Sequence, residues 1–129
     1  MAYLLDTCVA LWFFEGSANI PVPVRNVLTD PSEDLLLSDV SILEIVIKYR
    51  LGKLPLDAAP SRIILPLARK HSIDILPLST SAIFQLEGLK DFHRDPFDRL
   101  LVAQALAHQM TLVTPDPLIR QYPVHSLWD

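Results

Sequence analysis

Residues 95–116 read DPFDRLLVAQALAHQMTLVTPD and predict a helix that leads into a buried strand. Asp95 is placed to cap this helix, and Pro96 suits the first helical position because its missing N–H would be unpaired there anyway. We expect the helix to span 96–109. The apolar pair Leu112 and Val113 then predicts a short strand. A helix followed by a buried strand is the repeating unit of a parallel α/β sheet.

The remaining sequence repeats this alternation. Strands are predicted over 1–5, 35–37 and 73–76, helices over 7–14, 24–29, 42–51, 61–71 and 79–86, and an added edge strand over 124–128. This order predicts the α/β class, with a short, mainly parallel sheet of four to five strands packed between helices. At 129 residues, half of them hydrophobic, the chain is long enough for one domain, 1–129, and too short for two.

Composition limits the function classes. No apolar run is long enough to span a bilayer, and Asp6 interrupts the start before a leader could form, so we expect no membrane contact and a soluble, cytoplasmic protein. The single cysteine, Cys8, cannot form an internal disulfide and is expected to be a small packing residue. The net charge of −4 gives no support for a nucleic-acid partner. It does not exclude one, because bound cations would reverse the sign locally.

Four acidic residues occupy positions from which an α/β fold builds a cleft. Asp6 and Asp116 follow predicted strands, and Glu44 and Asp98 are expected in the first turns of helices. Because the carboxyl ends of parallel strands meet at one edge of a sheet, we expect these side chains to converge. Converging carboxylates repel one another unless cations or shared protons hold them together. The sequence therefore indicates a divalent-metal site suited to hydrolysis of a phosphodiester.

Each acid also has an ordinary structural explanation. Glu44 follows Ser41 by three residues and can belong to a capping box. Asp98 lies where the helix dipole favours an acid, and Asp6 and Asp116 can cap the elements that follow them. Capping requires no spatial relation among the four acids, however, whereas a metal site does, and so their expected convergence favours function.

Other candidate residues carry weaker signals. The four histidines show no spacing typical of a metal cage and are expected to be surface or loop residues: His71, His93, His108 and His125. The aromatic run Trp12–Phe14 is expected to be mainly core, with an exposed part available to a partner.

Four motifs together resemble a known family. They are YLLDT at 3–7, SDVSILEIVIK at 38–48, HRDPFDRLLVAQA at 93–105 and LVTPD at 112–116. Over nearly its whole length the chain resembles the PIN-domain ribonucleases and, within them, the VapC-type toxins of bacterial toxin–antitoxin pairs. The long third motif is the most specific of the four.

The resemblance implies a three-layer α/β/α PIN-like fold and a divalent-metal-dependent endoribonuclease. It implies that Asp6, Glu44, Asp98 and Asp116 are both the catalytic and the metal-binding residues, holding Mg²⁺, for which Mn²⁺ can substitute. A metal-activated water would then attack the phosphodiester of an RNA substrate. Asp95 is expected to act first as the helix cap, and Thr114 mainly as a strand-end residue. Pro115 stiffens the chain before Asp116 and leaves the distance of Asp116 from the metal open.

The resemblance also implies partners: a cognate VapB-type antitoxin whose C-terminal segment lies across the active-site groove, and a second copy of the chain in a homodimer. The exposed part of Trp12–Phe14 and the helix 42–51 are the expected contacts with the antitoxin.

Two alternative functions remain open. The first is a PIN-like scaffold that binds a partner without catalysis. The second is a phosphoryl-transfer domain, which also places an aspartate after its first strand. The haloacid-dehalogenase type needs a second aspartate two residues later, where this chain has Cys8, and a receiver domain needs paired acids near the start and a lysine after the last strand.

Overall fold

The computed structural model describes residues 1–129. Its strands are β1 (Ala2–Leu5), β2 (Asp34–Ser38), β3 (Ile73–Leu76), β4 (Thr111–Val113) and β5 (Ser126–Leu127). Its helices are α1 (Thr7–Glu15), α2 (Val22–Leu28), α3 (Asp39–Arg50), α4 (Pro60–Lys70), α5 (Thr80–Phe84) and α6 (Pro96–His108). Short 3₁₀ turns cover Gln85–Gly88 and Ile119–Gln121. No helix is long and apolar enough to cross a membrane.

All five strands are parallel and lie in the order β3-β2-β1-β4-β5. The predicted α/β class and the three-layer arrangement are confirmed, and the expected edge strand is β5, which pairs with β4 through Leu112 with Ser126 and Val113 with Leu127. The central strand β1 pairs with β2 on one side and β4 on the other.

Alternation along the strands separates two hydrophobic cores. Leu5 and Val113 belong to the core beneath α1, α2 and α4, whereas Leu4 and Leu112 belong to the core beneath α6. Successive side chains of a strand point to opposite faces of the sheet, so adjacent residues pack against different helical layers. Both cores contain fully buried side chains, which explains why the strands read as continuous apolar runs.

The beginning of α3 differs from the prediction. The cap is Ser38, whose Oγ accepts a hydrogen bond from the Val40 N–H at 2.9 Å, so the helix begins three residues before the predicted start. Ser41 lies inside the helix and does not form the capping box with Glu44. Glu44 therefore lies in the second turn rather than the first. Its carboxylate is not engaged with the helix start and is available to the cleft.

The helix α6 begins as predicted. Asp95 Oδ1 accepts hydrogen bonds from the N–H groups of Phe97 at 2.8 Å and Asp98 at 3.4 Å, and Pro96 occupies the first turn. The helix ends at His108, and Gln109 follows in the left-handed conformation with φ 54°. The cap fixes the first turn of α6 and thereby the position of Asp98.

Candidate metal centre

Polar residues terminate three adjacent strands at the carboxyl edge of the sheet. Asp6 follows β1, Ser38 ends β2 and Thr114 follows β4, and all three are buried. The Asp6 N–H donates to the Val113 carbonyl oxygen at 2.9 Å, which extends the pairing of β1 and β4 by one residue. This edge is where parallel sheets form their ligand-binding crevices.

Asp6 is held by Thr114. The Thr114 hydroxyl donates to Asp6 Oδ2 at 2.7 Å and accepts a hydrogen bond from the Asp116 N–H at 3.0 Å. Burial raises the pKa of Asp6, and the hydrogen bond from Thr114 partly opposes this. Thr114 thus connects two of the predicted site acids, a role beyond that of a strand-end residue.

Glu44 is buried against the start of α1 and is also paired with a cation. The Thr7 hydroxyl donates to Glu44 Oε1 at 2.8 Å and lies 2.9 Å from the Ser41 hydroxyl oxygen. The Lys48 ammonium group donates to the other carboxylate oxygen from one turn along α3. These contacts fix the Glu44 carboxylate between α1 and α3.

Asp98 and Asp116 meet at His93. The His93 Nε2 atom lies 3.1 Å from Asp98 Oδ2 and 2.9 Å from Asp116 Oδ2. The ligand atoms of these three residues lie within 4.8 Å of one another, a spacing that would allow one ion to contact all of them. Asp116 is also fixed by the Leu118 N–H, which donates to its Oδ1 at 2.8 Å.

His93 was expected to be a surface or loop residue. It lies in a loop, but its side chain is 12% exposed and faces the carboxylates. Its Nδ1 accepts a hydrogen bond from the Asp95 N–H at 3.1 Å, so this nitrogen carries no proton in the observed geometry and Nε2 is the donor to the acids. Sequence reasoning missed this contact because His93 has no regular spacing from the acids. The one local signal for this contact was the position of His93 two residues before Asp95, the cap of the helix that carries Asp98.

The other histidines lie outside this site. His71 packs against the rings of Phe13 and Phe14, with centroids 4.8 and 5.5 Å away. His108 and His125 are exposed.

All four predicted acids line one cleft of about 510 Å³. Asp6, Glu44, Asp98 and Asp116 share its wall with Asp95, Lys48 and Lys53. Burial and, to a lesser degree, the negative charges of Asp6 and Asp95 together raise the pKa of Asp98 to about 7, while His93 opposes the shift. The site thus holds several carboxylates at a cost in charge repulsion that a bound cation would remove.

The residues present fit a hard divalent cation. The available ligand atoms are carboxylate oxygens, which Mg²⁺ and Mn²⁺ prefer, whereas His93 Nε2 carries a proton toward these acids and is not a ligand in this geometry. Cys8 also lines the cleft, but burial and the charges of Asp6 and Asp98 raise the pKa of its thiol to about 12. It is a half-buried thiol that stays protonated, and it offers neither a nucleophile nor a thiolate ligand at neutral pH.

A family model for the PIN domain matches residues 3–124. The chain belongs to the PIN-domain family, as its motifs predicted. No curated protein matches the sequence significantly.

The fold is also found in solved toxin–antitoxin structures. A chain of VapBC2 from Rickettsia felis bound to a promoter DNA fragment matches with a TM-score of 0.72 and 18% identity over 100% of both chains. A chain of VapBC-1 from nontypeable Haemophilus influenzae matches with a TM-score of 0.67 and 16% identity over 98% of this chain and 97% of that one. A chain of DNA-bound VapBC from Salmonella typhimurium matches with a TM-score of 0.67 and 18% identity over 98% of this chain and 97% of that one. The similarity to these VapBC chains, predicted from the motifs, is confirmed at the level of the fold.

Proposed function

We propose that this protein is a divalent-metal-dependent endoribonuclease that acts as the toxin of a toxin–antitoxin pair. The observation that carries the proposal is the cleft in which Asp6, Glu44, Asp98 and Asp116 lie together with raised pKa values at Asp6 and Asp98. Membership of the PIN-domain family supports a nuclease, and the VapBC structures of the same fold support the toxin assignment.

The four acids are proposed to hold Mg²⁺, with Mn²⁺ able to replace it. When bound, such an ion would neutralise charge on the phosphate and lower the pKa of a water molecule. Thr114 and Thr7 orient Asp6 and Glu44 through their hydroxyl groups. His93 donates its Nε2–H toward Asp98 and Asp116, which holds these carboxylates in place. Lys53 lines the same cleft and carries a positive charge for the RNA backbone.

The antitoxin is proposed to be of the VapB type and to enter an apolar groove next to the acids. This groove, about 350 Å³, is lined by Phe14, Leu56, Ile63 and Leu67. Leu11 lines both this groove and the acidic cleft, so the two are adjacent. A peptide with apolar anchors and one basic side chain would fill both, because the cleft carries an excess of carboxylates. Phe14 thus belongs to the groove, in line with the contact predicted from the sequence.

A homodimer is proposed to form through α3. Its outer face exposes Leu43, Val46, Ile47 and Leu51, with exposed fractions of 52, 40, 39 and 62%. These positions recur at helical spacing and form one stripe. The sequence-based expectation assigned this helix to the antitoxin, whereas the position of the groove next to the acids favours the groove for that role. The stripe is then available to a second copy.

The test is cleavage of total cellular RNA by purified, antitoxin-free protein with and without Mn²⁺, beside an Asp98→Asn variant purified identically. We expect discrete, metal-dependent fragments from the wild type and none from the variant. Equal cleavage by both proteins would show that the observed cleavage does not depend on Asp98 and would contradict the proposal.

One observation favours a second candidate, the non-catalytic scaffold. Lys48 neutralises Glu44, and His93 satisfies Asp98 and Asp116, so the acids have partners without a metal. Thermal unfolding distinguishes the two functions, because Mn²⁺ raises the melting temperature of a protein that binds it and leaves a pure scaffold unchanged. If Asp6→Asn responded to Mn²⁺ as strongly as the wild type, Asp6 would not be a metal ligand.

A further inference from the structure

A second cleft, of about 650 Å³, lies beside the segment 89–95 and has no part in the chemistry above. Its walls include three aromatic residues, Phe84, Phe92 and Tyr122. Phe84 and Phe92 are 62% and 37% exposed, and the rings of Phe92 and Tyr122 meet edge to face with centroids 5.0 Å apart. The volume lies within the range of sites that enclose small organic groups.

This cleft shares a wall with the acidic site. Phe92, which lines it, directly precedes His93, whose side chain contacts Asp98 and Asp116. The His93 N–H donates to the Tyr122 hydroxyl oxygen at 3.0 Å, so the two sites are linked by a direct hydrogen bond. Along α6, Asp98 lines one cleft and Leu106 the other, and eight residues of helix span about 12 Å. The second cleft therefore lies within the reach of a few nucleotides from a phosphate placed at the carboxylates.

The lining suits a flat ligand with hydrogen-bonding edges. Gln85 and Gln121 also line the cleft, and a glutamine amide can donate and accept hydrogen bonds at the same time. Nucleobases present a π-face for stacking and a polar edge for recognition, and single-stranded RNA is read in this way.

The charge of the second cleft is opposite to that of the first. No acidic residue is among its lining residues, and Lys90 places its ammonium nitrogen 6.0 Å from the centre of the Phe92 ring. The nearby Asp91 carboxylate is paired with Arg99 at 3.1 Å. In a chain with a net charge of −4, this surface is suited to an anionic strand.

The segment 89–95 is held in place before any ligand binds. The Arg99 guanidinium donates to the carbonyl oxygens of Lys90 at 3.0 Å, His93 at 3.2 Å and Leu89 at 3.3 Å. A preformed wall lowers the entropic cost of binding. The same clamp fixes Phe92 on one side and His93 on the other.

We propose that this cleft, with Phe84 and Phe92 as stacking surfaces and Gln85 and Gln121 as edge readers, binds a nucleobase of the RNA strand near the scissile phosphate and so determines sequence preference. This inference rests on the proposed ribonuclease function and names the group that selects its substrate.

The experiment compares wild type, Phe84→Ala, Phe92→Ala and the control Ile83→Ala on a randomised single-stranded RNA library with Mn²⁺, and sequences the cleaved ends. Ile83 precedes Phe84, is 41% exposed and does not line the cleft. We expect kcat/KM to fall roughly 5- to 100-fold in the two phenylalanine variants, mainly through KM, because stacking of a base contributes that much affinity. The base distribution at one position near the cut should flatten in these variants and stay unchanged in Ile83→Ala.

A second readout uses the Asp98→Asn protein and fluorescent octanucleotides by anisotropy. Removing Phe84 should weaken binding of the base-bearing strand and leave binding of an abasic strand of equal length unchanged. Cleavage with unchanged rate and end distribution in both phenylalanine variants would overturn the base site while leaving the ribonuclease intact. A change in oligomeric mass instead of base preference would also overturn it and assign the surface to a protein partner. If the wild type showed no metal-dependent cleavage, the proposed function would be contradicted, and this inference would fail with it.

Discussion

At the scale of single residues, the site depends on carboxyl groups held in an unfavourable state. Burial and neighbouring charges raise the pKa of Asp98 to about 7, far above its ordinary value of 3.8. A carboxyl group whose pKa is raised by folding stabilises the folded state while it is protonated. This stabilisation is therefore present at acidic pH and is lost as the pH rises through about 7.

The pH dependence of the metal-free protein follows from that sign. In EDTA, we expect the free energy of unfolding to be greater at pH 5.5 than at pH 8 by about 1–2 kcal/mol, a value reduced from the full linkage effect because solvent screens the open cleft. Urea unfolding at the two pH values measures it. In the Asp98→Asn variant, most of this difference in unfolding free energy should disappear. We attribute the part that remains to Asp6, whose pKa is also raised. An undiminished difference in the variant would assign the effect to other groups.

Thr114 gives a second prediction at this scale. Thr114→Val keeps the shape of a fully buried side chain but removes the hydrogen bonds to Asp6 and to the Asp116 N–H. We expect Mn²⁺ affinity to fall about 10-fold or more, because groups that orient metal ligands contribute roughly 10- to 100-fold. The shift of melting temperature across a Mn²⁺ titration measures the affinity. Thr111→Val, at the other end of β4, should bind as the wild type does, and Thr114→Ser should restore binding. Unchanged Mn²⁺ affinity in Thr114→Val would show that Thr114 has a purely structural role.

At the scale of elements, the junction of β2 and α3 depends on one buried pair. Ser38 caps α3 and also donates to Gln104 Oε1 from α6, and both side chains are fully buried. Ser38→Ala removes the cap and leaves the Gln104 carbonyl unpaired, so we expect a loss of about 2–4 kcal/mol in unfolding free energy. Ser79→Ala removes only the cap of α5 and should cost about 1 kcal/mol.

The double variant Ser38→Ala with Gln104→Leu tests the pairing itself. Because the Gln104 carbonyl oxygen is absent from the double variant and cannot be left unpaired, its loss should be smaller than the sum of the two single losses by about 1 kcal/mol or more. Urea unfolding of the wild type, the two single variants and the double variant gives the double-mutant cycle. Strict additivity would mean that the cap alone explains the effect of Ser38.

The elements themselves were largely predictable from local signals. The start of α6 was predictable because its cap, Asp95, and its first residue, Pro96, are adjacent in the sequence. The sheet was predictable because short apolar runs are typical of buried parallel strands. The predicted start of α3 was wrong because Ser41 and Glu44 have the spacing of a capping box. The observed cap is Ser38, which also makes a tertiary contact with Gln104. Such a contact joins residues far apart in sequence, and no local pattern reports it.

At the scale of the whole molecule, the convergence of the acids follows from the parallel topology, whereas the contacts between them do not. All four predicted acids line one cleft because β1 and β4 are neighbours in the sheet and α3 contacts both α1 and α6. The role of each acid in metal binding stays a prediction. The contact of His93 with Asp98 and Asp116 depends on the path of the segment 89–95, which is fixed by Arg99 rather than by any periodic pattern.

The exposed stripe on α3 leads to a prediction about assembly. An apolar stripe of four large side chains is costly to leave in water and marks a surface for association. We expect the antitoxin-free protein to have about twice the monomer mass by light scattering, and Ile47→Asp to shift it to the monomer, because a carboxylate buried in an apolar contact is strongly unfavourable. Val22→Asp, at an apolar residue on α2 that is 68% exposed, is the matched control and should stay dimeric. A dimer that persists in Ile47→Asp would exclude the stripe as the contact.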